Sequence, residues 1–304
     1  MVQVRTFQPD EIAPGARHNA AAQGLAAAMP RLVVSARRIA ASVVHGLHGR
    51  RRSGTGENFW QFRRFNSGEP GSRIDWRRSA RGDNLFVREH EWEAAHTVWL
   101  WIDTSSSMAY RSSLAEDSKA ERAVIIGLAL ADLLVRGGER VGILGLGAPT
   151  ASRRAIEVLA QRLASAPAGS GLPMAHALAP LEEGVLIGDF LAPEDEIAET
   201  VRTLSNRGAR GHLLSISDPV EETFPFSGRT EFLDPEGAQR ITLGRPQDLR
   251  AGYAARLQAH REAVDAAAAA SLWSSGRHRT DNPATGALLA LHAQLGAPVE
   301  GARL

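Results

Sequence analysis

Val98-Trp99-Leu100-Trp101-Ile102, followed without a break by Asp103-Thr104-Ser105-Ser106-Ser107-Met108, is the stretch on which the fold turns. An apolar run this short, stopped by turn-forming residues, reads as a strand buried on both faces. Three further runs of the same kind follow, at 141–146, 185–187 and 213–216, with long helical stretches between them. Such strands alternating with helices predict an α/β fold, a doubly wound and mainly parallel sheet with helices on both sides.

The helix after the first strand is the best marked. Ser118 and Glu121 stand at capping-box spacing, an apolar body runs over 123–135, and Gly137-Gly138 supplies the stop. Because that body is apolar nearly all round, it should be buried against the sheet and a second cover, for which residues 46–93 are a natural choice. Further helices are expected at about 20–45, 153–165, 173–181, 194–206, 247–273 and 284–295, and short edge strands at 231–233 and 240–243. Three segments result. Residues 1–45 form a leader and helix, 46–95 an irregular Arg/Trp-rich segment wrapped on the main domain, and 96–304 the α/β domain with its C-terminal helices.

Composition narrows the function classes. The 304 residues carry a formal net charge of +1, which makes the whole molecule no trap for nucleic acid or anionic membrane. Cysteine is absent, which excludes disulfides, thiolate metal sites and Cys nucleophiles. Lys119 is the only lysine, so nearly every cation is a guanidinium suited to carboxylate pairing. The start is polar and broken by prolines, and no apolar run reaches membrane-spanning length, so the cytoplasm is the expected location. No P-loop, dinucleotide glycine motif, H-E-x-x-H or G-x-S-x-G occurs in a fitting context. The ten histidines show no ligand spacing.

Chemistry is expected at the strand ends, where open α/β sheets bind their ligands. Asp103, Asp189 and Asp218 each close or follow an apolar run. Asp103-x-Ser105-x-Ser107 offers a carboxylate and two alcohols from one tight loop, and Asp189 a second carboxylate. If these oxygens converge in a pocket open to water, they suit a hard cation such as Mg2+. The competing reading is that the serines and Asp103 satisfy turn backbone groups. Asp218, before Pro219, reads as a turn or cap residue. A metal-dependent hydrolase at Asp103 and Asp189 is the alternative function, although an aspartate nucleophile would want an acid where Ser105 stands.

The strand with Asp103-x-Ser105-x-Ser107-Met108 resembles the metal-ion-dependent adhesion site (MIDAS) of von Willebrand factor A (vWA) domains, with Asp189 as the later strand-end aspartate. That resemblance implies metal-dependent protein binding, the partner completing the ion's shell with a carboxylate. It also implies a threonine ligand. Here the loop reads Gly169-Ser170-Gly171-Leu172-Pro173, with Leu172 in the threonine slot and Ser170 as a substitute.

Over residues 46–108 the chain resembles the bacterial family called domain of unknown function 58. The match is carried by Gly54-Thr55-Gly56-Glu57, Arg73-Ile74-Asp75-Trp76-Arg77, Ser79-Ala80-Arg81 and Val87-Arg88-Glu89, leading into the strand and Asp103 loop. Asn58 and Glu69-Pro70 depart from the pattern. The resemblance implies a non-enzymatic adaptor beside a MoxR-type AAA+ ATPase, in maturation or assembly of a client complex. Physically the block admits two readings. Arg73, Arg77, Arg81 and Arg88 pair with acids such as Asp75 and Glu89 to pin an irregular segment, with Trp76 as a packing anchor. Alternatively, part of the block is a docking surface.

Overall fold

The computed structural model describes residues 14–48, 59–66, 70–82, 84–90, 96–167, 169, 171–174, 177–180, 182–235 and 239–295. In chain order the elements are α1 (Pro14–His48), β1 (Phe59–Arg64), α2 (Trp76–Ser79), β2 (Phe86–His90), β3 (Thr97–Ile102), α3 (Lys119–Arg136), β4 (Arg140–Ile143), α4 (Ala155–Ala164) and β5 (Glu182–Gly188). There follow α5 (Glu194–Ser205), β6 (Arg210–Ser217), α6 (Pro219–Thr223), β7 (Thr230–Leu233), β8 (Arg240–Leu243), α7 (Arg250–Ala270), β9 (Ser274–Arg279) and α8 (Ala284–Leu295). The chain divides into two compact units, one of residues 1–45 with 96–304, the other of 46–95.

The larger unit is built on a five-stranded sheet in the order β4-β3-β5-β6-β9. All four neighbouring pairs are parallel. In sequence order that is 2-1-3-4-5, so the direction of winding reverses between β3 and β5, and the crevice at their carboxyl ends is the topological switch point. One face is covered by α1, α3, α4 and α8, whose Leu32, Ala36, Ile126, Leu130, Leu159 and Leu288 join Val98, Leu100, Ile102 and Ile187 in one core. On the other face Ile197, Val201, Val264 and Trp273 pack with Leu186 and Leu213. Apolar residues pointing both ways from the strands are why the runs look continuous rather than alternating.

α3 is buried along nearly its whole length, from Lys119 to Leu134, under α1, α4 and α8. Its capping box forms as expected: Glu121 N donates to Ser118 Oγ and Ser118 N to Glu121 Oε2. Three expectations need correction. The described residues of 173–181 are irregular, because prolines at 173 and 180 bracket a segment that instead inserts Leu178 into the core, its N–H donating to Leu204 O. Among the described residues the strands at 230–243 pair only with each other, as an antiparallel hairpin and not as edges of the five-stranded sheet. A fifth sheet strand, β9, was not anticipated: its sequence is Ser-Ser-Gly-Arg-His-Arg.

The smaller unit is described by itself. β1 and β2 form an antiparallel pair, and α2 is a single turn between them. Asp75 caps that turn, its carboxylate accepting from Arg78 N at 2.9 Å. Arg78 lies over Phe62 and Phe86, 5.2 and 5.6 Å from the ring centres.

Candidate functional site

The site grows out of the ends of β3 and β5. Asp103 N donates to Ile187 O at 2.8 Å, which fastens the first residue beyond β3 to the neighbouring strand. The Asp103 carboxylate turns back and accepts from Ser105 N at 2.8 Å. A glycine on β5 makes this possible: a Cβ on Gly188 would stand 3.0 Å from Asp103 Cβ and 3.1 Å from the Trp101 ring. Ser107 begins a single 3-10 turn, Ser107–Ala109. Ser105 Oγ and Ser107 Oγ are 3.1 Å apart, and Ser107 Oγ donates to Asp189 Oδ2 at 2.7 Å. Asp189, one residue past β5, also accepts from Leu191 N through Oδ1 at 3.3 Å.

Phe190 holds Asp189 in place from behind. It is buried, tilted against Trp101 at 6.3 Å, and has φ of +50°. For an aromatic residue that left-handed backbone is strained and persists only where its surroundings enforce it. His260 on α7 does so, its Nε2 donating to Phe190 O at 2.7 Å.

Asp103, Ser105, Ser107 and Asp189 therefore meet in one cluster at the switch point. The expected openness to water is another matter. Asp103 and Ser105 are 0% and 1% exposed, so only the Ser107–Asp189 side reaches solvent. Part of the seal is the loop before β5, where Gly169 N donates to Thr104 Oγ1 at 3.1 Å. In that loop Leu172 packs against the apolar cluster under α5 and presents no oxygen. Ser170 lies outside the described residues.

Lys119 and Glu221 complete the site. Lys119 is the first residue of α3, and its side chain is 1% exposed. Its Nζ donates to Asp189 Oδ2 at 2.9 Å and to Glu221 Oε1 at 2.6 Å. Burial works against the ammonium, yet the Asp189 and Glu221 carboxylates more than offset it and hold its pKa above the ordinary lysine value. The strand-end acids thus carry an internal counter-cation. Asp218 is a cap: its Oδ1 accepts from Val220 N at 2.9 Å in α6, and its Oδ2 from Ser112 N at 2.9 Å in the loop after Ser107. Next to it, burial and the Asp218 and Glu221 charges push Tyr110 up to about 12.

The donor set of two carboxylates and two alcohols has the chemistry of a hard-cation site. It is an incomplete set. Among the described residues no three His, Cys, Asp or Glu side chains gather for a metal, and Asp189 Oδ2 already serves Ser107 and Lys119. A divalent ion here would draw on Ser105, Ser107, one oxygen of each aspartate, water and an outside ligand. Beside Asp189 opens a cleft of about 60 Å³, lined in part by Ser217, Tyr253, His260 and Arg261.

In the smaller unit, Asp75 is the cap of α2 and Trp76 is 64% exposed rather than packed as an anchor. Arg77 and Arg81 are exposed and have no carboxylate partner among the described residues, while Glu91, expected in the same network, lies outside them. The side chains of Arg73, Arg88 and Glu89 lie outside the described residues, as does Glu57.

Uncharacterized proteins of Mycobacterium bovis and Mycobacterium tuberculosis are each 27% identical over 263 residues, covering 79% of this chain and 80% of theirs. A solved structure, an aerotolerance-related membrane protein of Bacteroides fragilis with multiple mutations to serines, is 15% identical. It covers 66% of this chain and 98% of its own, with a TM-score of 0.38, too low to carry an argument about fold or function. A family model described as protein of unknown function DUF58 matches residues 61–263, from β1 through β3 and the strand-end cluster into α7, and the chain belongs to that family.

Proposed function

We propose that this chain is a vWA-like, non-enzymatic adaptor that binds a protein partner at the carboxyl ends of β3 and β5, with Mg2+ bridging the two. The observation that carries the reading is the connected oxygen cluster: Ser105 Oγ to Ser107 Oγ at 3.1 Å, and Ser107 Oγ to Asp189 Oδ2 at 2.7 Å. It joins side chains from two neighbouring strands at the switch point. The shell lacks an oxygen where Leu172 stands, which a partner carboxylate supplies from the Ser107–Asp189 side. When bound, the ion would neutralise that carboxylate against Asp103. This chain's own residues orient the ligands, and Lys119 fixes one oxygen of Asp189.

Two features favour a protein over a small substrate. The cleft beside Asp189, about 60 Å³, falls well short of the roughly 300 Å³ at which small-molecule sites begin. The loops leaving the strand ends carry exposed Tyr110, Leu114 and Leu191, and the loop before β5 exposed Met174, apolar contacts for a partner surface. The family resemblance points to a MoxR-type AAA+ ATPase, or its client, as that partner, in the cytoplasm. No helix among the described residues is long and apolar enough to cross a membrane.

The test is capture of a MoxR-type ATPase by the full chain, with Mg2+ or with chelator, for wild type and Asp103→Ala. Capture should fall in the variant and with chelator. Capture indifferent to both refutes the metal-bridged mode. Turnover of phosphoesters with Mg2+ or Mn2+ that vanishes in Asp103→Ala would make the protein a metal-dependent hydrolase instead.

A further inference from the structure

The unit of residues 46–95 holds ten arginines against seven carboxylates, and its three arginines around α2 are used in different ways. Arg78 is engaged at home, over the rings of Phe62 and Phe86. The side chains of Arg77 and Arg81 are exposed and have no partner among the described residues. They stand four residues apart, Arg77 in α2 and Arg81 just past its C-cap, so two like charges leave one short segment of chain. Beside them Trp76, 64% exposed, presents an indole to solvent. Asp75, the acid nearest in sequence, is committed to the cap.

A single exposed tryptophan is unremarkable on a surface. A tryptophan followed within five residues by two guanidiniums that have no acid partner among the described residues is different, because Trp and Arg are the residue types that dominate recognition hot spots. We infer that Trp76, Arg77 and Arg81 form a second recognition surface, which takes an acidic segment of a partner protein. The guanidiniums would each donate to a carboxylate in forked geometry, and the indole would pack against an apolar side chain of the same segment. Charge complementarity favours a peptide over nucleic acid. Phosphate backbones call for a continuous basic track, whereas here acids are interleaved through the unit. The surface shares no residue with the Asp103 cluster and needs no metal.

The experiment is fluorescence anisotropy of a labelled peptide of glutamates with interspersed leucines, titrated with the full chain in chelator at low and moderate salt. Wild type should bind, more weakly as salt rises. Trp76→Ala and the double variant R77Q/R81Q should each weaken binding by roughly tenfold or more. The double variant should also flatten the salt dependence, and Asp103→Ala should bind as wild type does. The last arm separates this surface from the metal-bridged site, since either can fail without the other. Absence of wild-type binding, or R77Q/R81Q binding unchanged, overturns the inference. So does an oligonucleotide that displaces the peptide at lower concentration than unlabelled peptide, which would make this a nucleic-acid surface. If Trp76→Ala unfolds the chain, the exposed R77Q/R81Q pair decides alone.

Discussion

Lys119 Nζ lies 2.9 Å from Asp189 Oδ2 and joins residues 70 positions apart in the chain, the start of α3 and the end of β5. The same ammonium reaches Glu221, so one lysine ties together three elements around the strand ends. Taking two carboxylates and an ammonium out of water is costly, and the arrangement persists because each charge is partnered.

Lys119→Met should therefore leave two acids uncompensated and destabilise the fold by about 3–5 kcal/mol. Urea midpoints measured near neutral pH check this. The pH dependence has a definite sign. The folded-state pKa of Lys119 is raised, so its stabilisation is fully present below the unfolded value of 10.5 and is lost as pH rises through the folded one. The gap between wild type and variant should be full near neutral pH and close as pH rises from 10.5 through the folded value. A gap that stays open through that rise would assign the loss to some other group.

Acid should weaken the fold through two histidines. His212 on β6 and His278 on β9 are buried, and burial lowers each to about 4. Arg210 adds to the effect at His212 and Arg122 at His278. Depressed pKa values mean stability is full above the unfolded value of 6.5 and falls as pH drops toward 4. At about pH 5 each should have removed about 2 kcal/mol. Replacing both with glutamine should flatten unfolding free energy between about pH 7 and pH 5. An unchanged slope in the double variant would place the acid sensitivity elsewhere.

Much of this architecture can be read from residue order alone, for a simple reason. β3, β5 and β6 are buried on both faces, so their side chains must be apolar in succession, and Asp103 and Asp189 follow directly. β9 hides because its apolar cover is supplied by others: Trp273, whose Nε1 donates to Ala209 O, packs over Gly211 and Gly184, and α8 closes the edge. A strand written Ser-Ser-Gly-Arg-His-Arg carries no hydrophobic signal of its own. Lys119 was equally silent. As the sole lysine it was conspicuous, but a lysine after a capping serine reads as helix surface. Only its partners, 70 and 102 residues away, put it in the interior. The openness of the Asp103 cluster was unreadable too, since it depends on where the loop around Gly169 comes to rest.

Leu172→Thr tests that loop. The substitution restores an alcohol to the position that vWA-like sites give to a ligand, but here the side chain packs into the apolar cluster beneath α5. The expected outcome is a loss of about 1–3 kcal/mol in stability, from the missing apolar volume and the buried hydroxyl, with Mg2+ affinity unchanged by calorimetry. A gain in Mg2+ affinity would mean that the loop re-seats with its side chain toward Asp103.

Gly188→Ala tests the geometry of the cluster itself, without removing any of its oxygens. The new Cβ would stand 3.0 Å from Asp103 Cβ, 3.1 Å from the Trp101 ring and 3.3 Å from Asp103 Oδ2. They belong to Trp101 on β3 and to Asp103 just beyond it, so the contact is relieved by shifting Asp103 together with the Trp101 ring. Overpacking of this kind costs about 1–3 kcal/mol. The larger effect should be on recognition, because Asp103 would no longer present its carboxylate from the position set by Ser105 N. Partner capture should fall toward the level of Asp103→Ala while the chain remains folded by circular dichroism. Ser107→Ala makes the natural companion, since it removes the alcohol linking Ser105 to Asp189 and leaves Asp103 untouched. If Gly188→Ala stays folded and captures partner at the wild-type level, the position of Asp103 is irrelevant to binding, and the strand-end cluster is only a fastening between β3 and β5.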